Sequence, residues 1–198
     1  MSGNGNEGGV RSSPNEPQQP RHGSKSVTDL LEEPETKEHV KAIAVTMAVV
    51  GVALGLLVFL MGSVGGMELT QDGFQQDLSA EERAYQDKQY TANLVNSVFQ
   101  NAPFVAFGIA AVAGLLVGAR IGGGSRKAMV AAGAGALVGT VALVFFAEFL
   151  AAQQMPTFEN QSGFSLDTGQ ALINSVVFGV LAAAMASGGA WSVKEYVT

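Results

Sequence analysis

Between positions 42 and 67 the chain carries no charged residue: AIAVTMAVVGVALGLLVFLMGSVGGM. A helix rises about 1.5 Å per residue, so about 20 residues cross a hydrocarbon core of roughly 30 Å. This stretch is long enough to span a bilayer. Three more apolar stretches follow it. The expected fold class is therefore an all-α membrane protein: a four-transmembrane-helix bundle behind a disordered amino-terminal tail. Charged residues make up only 14% of the chain, against roughly 25% in soluble domains. Most of them lie between the apolar stretches.

The expected order begins with a cytoplasmic tail over 1–39 that includes a short juxtamembrane segment. Spans follow at 40–66, 103–121, 128–150 and 169–191. An acidic outer loop fills 67–102, a basic inner turn 122–127, a second outer loop 151–168, and an inner tail 192–198. Residues 1 to 26 are rich in Gly, Asn, Ser, Pro and Gln, and bury too little surface to offset the entropy of ordering. The start does not read as a secretory signal, because its first 39 residues are polar. In 27–39, Thr28 or Asp29 is placed to cap a short turn carrying Leu30 and Leu31, which Pro34 ends. That segment reads either as an interfacial stretch or as a docking motif anchored on the two leucines.

The first outer loop holds Glu68, Asp72, Asp77, Glu81, Glu82 and Asp87 against only Arg83 and Lys88. Ser79 with Glu82 fits a capping box, so a helix is expected from Ser79. Asp167 with Gln170 is a second capping candidate. Pro103 either kinks one long helix or begins a new one capped by Asn101 or Ala102. Small residues recur four apart at Gly51/Gly55, Gly114/Gly118, Ala131/Gly135/Gly139 and Gly179/Ala183/Ser187, a spacing that lets helix backbones approach closely.

With four spans, the tails and the 120–127 turn share one side. That side carries nine of the eleven basic residues, the exceptions being Arg83 and Lys88. The positive-inside rule then places both termini in the cytoplasm of a cell-membrane protein. Short matches recur in common order: Lys41-Ala42-Ile43 with Lys127-Ala128-Met129, Leu57-Val58-Phe59 with Leu143-Val144-Phe145, Gly73-Phe74 with Gly163-Phe164, and 94–98 with 172–176. They predict a duplicated two-helix hairpin, a parallel repeat with its axis along the membrane normal. The Gly51/Gly55 face is then expected to meet the Ala131/Gly135/Gly139 stripe.

The chemistry is sparse. Cysteine is absent and the two histidines, His22 and His39, lie in the tail and juxtamembrane segment. No catalytic residue, metal ligand set or cofactor is expected. Gly122-Gly123-Gly124 lacks the strand and GK[ST] ending of a phosphate loop and reads as a flexible turn. A net charge of −6 with no basic block argues against nucleic acid. The acidic, lysine-poor composition would suit a halophilic organism. Glu148 is the one acid inside an apolar stretch, an interfacial anchor or an ion or proton site. Asn96, Ser97, Asn174 and Ser175 either cap and cross-link helices or, brought together by symmetry, form a polar outer vestibule with Glu148. Asn160 heads a glycosylation sequon in the second outer loop. Two functions are consistent with this inventory. One is an accessory, assembly or interaction component of a membrane complex. The other is a small oligomeric channel or carrier for an ion or small solute. The expected partners are membrane lipids, and a second copy or another protein through the small-residue helix faces.

Overall fold

A computed structural model describes residues 25–63, 79–158 and 165–197. All regular structure in them is helical: α1 (Val27–Glu32), α2 (Pro34–Ser63), α3 (Ala80–Arg120), α4 (Ser125–Ala152) and α5 (Thr168–Tyr196). The four long helices are each long and apolar enough to cross a membrane. The chain is an all-α, four-helix membrane bundle. The sequon at Asn160, the Gly73-Phe74 and Gly163-Phe164 matches, and most of the tail lie outside the described residues.

Two local expectations are corrected, and a third is decided between its alternatives. The cap of α1 is Ser26, not Thr28 or Asp29: its Oγ accepts from the Asp29 N–H at 3.1 Å, and Asp29 Oδ2 accepts from the Ser26 N–H at 3.0 Å. Pro34 does more than end α1. Proline forces the preceding residue out of the helical region, so Glu33 is extended, yet proline suits the first turn of a helix and opens α2. The first membrane helix therefore begins six residues before the expected 40. Of the two readings of Pro103, the single long helix holds, and a new helix capped by Asn101 or Ala102 does not. α3 runs through Pro103 for 41 residues, and Asn101 Nδ2 donates to the Ser97 carbonyl at 2.7 Å. The Ser79–Glu82 capping box is present, as expected.

At about 1.5 Å per residue α3 is about 60 Å long, roughly twice the hydrocarbon thickness. Its charged first third stands beyond the apolar part of the bundle. Tyr85 there meets Phe158 edge-on, the ring centroids 6.0 Å apart.

α4 touches every other helix. Lipid offers no hydrophobic drive for helices to associate, so close van der Waals packing must hold them, and small residues permit it. α2 and α4 lie parallel. Ile43 packs on Gly135, Met47 on Gly139, Gly51 on the backbone of Leu143, and Gly55 on Leu150. The two small-residue stripes thus share one interface, as expected, but staggered, each facing bulky residues of its neighbour. α3 and α5 are also parallel, with Gly114 on Ala186 and Gly118 on Ala190; a Cβ at Gly118 would come within 2.7 Å of the Ala190 oxygen. α4 and α5 run antiparallel, with Gly133 against Ser187, whose Oγ donates to the Met129 carbonyl at 3.0 Å. A twofold axis relating α2 to α4 and α3 to α5 would require α2 to touch α5 as α3 touches α4. Among the described residues α2 and α5 make no contact. The fold does not show the expected duplication.

Candidate functional site

Polar side chains gather at the two ends of the bundle. The basic end carries the start of α2, the 121–124 turn and the end of α5. The opposite, loop end carries the end of α4 and the start of α5.

At the loop end Asp167 caps α5, its Oδ1 accepting from the Gln170 N–H at 3.0 Å. Gln170 does not return to the cap. Its Nε2 donates instead to Asn174 Oδ1 at 2.9 Å, one turn on. In the last two turns of α4, Phe146 and Phe149 face outward while Glu148 turns inward and is only 8% exposed. The Glu148 carboxylate has no hydrogen bond or ion pair among the described residues. It opens instead onto a cleft of about 430 Å³, with Phe99 from α3, and with Asp167, Gln170, Asn174 and Phe178.

The expected vestibule is therefore divided. Glu148 and Asn174 share the cleft. Ser175 is buried and its Oγ donates to the Ala171 carbonyl at 2.7 Å, a bond within its own helix. Asn96 and Ser97 are exposed on α3, and Ser97 lines a separate apolar groove against Leu54 and Val58. The register explains the division. With Gly114 on Ala186 and Gly118 on Ala190, Asn174 stands level with Ala102, about 9 Å along the axis from the level of Asn96.

The basic end holds residues that sequence reasoning passed over. Glu35 Oε1 accepts from the Gly122 N–H at 2.8 Å, and Oε2 from Lys127 Nζ. Lys127 Nζ also lies 2.9 Å from Glu33, which pairs at 2.7 Å with Lys25. Lys194 Nζ donates to the Ile121 carbonyl at 2.8 Å. The hydrogen bond from Lys25, with that from Lys127, holds the Glu33 carboxyl below the usual carboxylate range. Gly123 takes a positive φ, of 100°, which suits glycine. The glycine turn is thus gripped from two helices, α2 through Glu35 and α5 through Lys194. The docking-motif reading of Leu30-Leu31 also loses its anchor, because Leu30 is buried where α1 lies against α2 and α4. The one signal for this cluster was charge complementarity, Glu33 and Glu35 against the basic 120–127 turn.

Comparison with protein-family models, curated proteins and solved structures gives no match. The site is therefore read from its own chemistry.

Proposed function

We propose that this chain is a non-catalytic accessory or assembly component of a membrane complex, seated in the cell membrane with both termini cytoplasmic. The orientation rests on the basic residues shared by the tails and the 120–127 turn. One observation carries the partner reading. Gly51, Gly114, Gly118 and Gly139 are filled by a neighbouring helix of the same chain, whereas a Cβ at Gly188 would meet nothing within 4 Å. Gly188 and Ala184 are both exposed and stand one turn apart on α5, leaving a small-residue pair open to another helix. Isolation of the tagged full chain from its native membranes in mild detergent is expected to bring down one stoichiometric, different protein. Gly188→Leu is expected to release it while leaving the helical content intact. Recovery of homo-oligomers alone would overturn the reading.

A second reading, an oligomeric channel or carrier, draws on the cleft around Glu148. The bundle's crossings oppose it, because backbone contact at Gly51, Gly114 and Gly118 leaves no room there for an aqueous path within one chain. Ion flux through proteoliposomes that falls on Glu148→Gln would favour it; no flux of any tested ion would dismiss it.

A further inference from the structure

We propose that the loop-end cleft binds a small organic cation, an ammonium whose charge rests on Glu148 and whose carbon substituents lie against Phe99 and Phe178. The site stands independently of the partner reading, since it lies at the end of α4 and not on the outward face of α5.

Glu148 supplies the reason. A carboxylate withdrawn from water without a partner is strongly disfavoured; Glu148 as a residue is only 8% exposed, and its carboxylate, open to the cleft, has neither hydrogen bond nor ion pair among the described residues. Its position compounds the cost. It lies about one turn before the end of α4, and no basic residue is present in the last turn to offset its charge. No Lys or Arg lines the cleft. A positive charge that keeps Glu148 ionised is supplied by no described residue of the cleft, and a bound cation provides it.

The surroundings select the kind of cation. A volume of about 430 Å³ lies within the range of small-molecule pockets, about 300–1,000 Å³. A bare Ca²⁺ or Mg²⁺ instead calls for several converging hard oxygen ligands, and no described group of three acidic, His or Cys side chains could supply them. Asp167 caps α5 through Oδ1, and Gln170 and Asn174 are joined to each other. That pairing uses the Gln170 amine and the Asn174 oxygen, so the Gln170 oxygen remains to accept from an ammonium N–H. Aromatic faces attract cations, and more strongly in a desolvated setting. Phe178 is held in place by an edge-on contact with Phe107, the centroids 6.1 Å apart.

Two sources carry this chemistry: a free solute, and the amine headgroup of a lipid. Calorimetric titration of the full chain in maltoside micelles, which contain no ammonium, with choline and with butylammonium is expected to show saturable binding at one site. Glu148→Gln is expected to weaken it by about tenfold or more, as loss of one member of a buried charge pair does. Phe178→Leu is expected to weaken it several-fold, and circular dichroism confirms that each variant is folded. In phosphatidylcholine nanodiscs, loss of choline binding identifies the lipid headgroup as the occupant, and retained binding identifies a free solute. Absence of saturable binding in micelles overturns the proposal. So does binding that is equal in wild type and Glu148→Gln, or sodium chloride that displaces choline as effectively as butylammonium does.

Discussion

The two ends of the bundle handle their carboxylates in opposite ways. At the basic end Glu33 and Glu35 are partly exposed, and each is met by lysine, with a backbone N–H added for Glu35. At the loop end Glu148 is buried and meets no partner among the described residues. An exposed pair contributes little to stability and is screened by salt, but it fixes which segments lie together. A buried, unpaired acid destabilises the fold that holds it. The basic end is arranged for holding, and the loop end for receiving.

The strongest test of this contrast removes the frame that separates the ends. Gly51 abuts the Leu143 backbone midway between them. Gly51→Val should cost about 1–3 kcal/mol through overpacking, read as a fall in melting temperature in detergent. The matching outward change, Gly108→Val, meets open space and should leave the melting temperature nearly unchanged. Next in size is Glu148→Gln, which removes the buried charge. In the absence of any added cation it should raise stability by about 1 kcal/mol or more. A fall would mean that Glu148 has an attractive partner, and the contrast between the ends would fail. Glu35→Gln should act in the opposite direction and more weakly. It should lower the melting temperature slightly and speed amide exchange at 121–124.

The pH dependence sharpens the comparison further. The folded value of Glu33 lies below its ordinary 4.5, so its contribution is fully present above that value and is lost as pH falls through the folded one. Acidification from neutral into that window should lower the melting temperature, less so in Glu33→Gln and less so in high salt. The smallest expected change is Thr140→Val. The Thr140 hydroxyl is buried in α4 without a partner, so its removal should be neutral or slightly stabilising by thermal melt.

Much of this fold is legible in sequence because its signals are local. Four long charge-free runs mark the spans, and Ser79 with Glu82 marks the start of α3 within a single turn. Pro34 misleads because one residue serves as both stop and start, which composition cannot separate. The grip on the glycine turn was hidden for a different reason: Glu35 reaches Gly122 and Lys127 across 87 and 92 residues of chain, and no local pattern records such a pairing. The cleft falls between these cases. Glu148 stands out as the lone acid of an apolar run, but its neighbours depend on the register between α3 and α5. That register follows from Gly114 and Gly118, not from any likeness between Asn96 and Asn174.

The uninterrupted course of α3 has a mechanical consequence. A single helix of this length behaves as a stiff rod, packed against its neighbours from Val95 to Gly118. Its far tip, around Tyr85, projects well past that anchorage, and its near end leads straight into the carbonyl of Ile121 that Lys194 holds. Whatever pulls or pushes on the tip therefore acts on an arm of about fifteen residues whose fulcrum is the contact of Val95 with Val58 and Ala151.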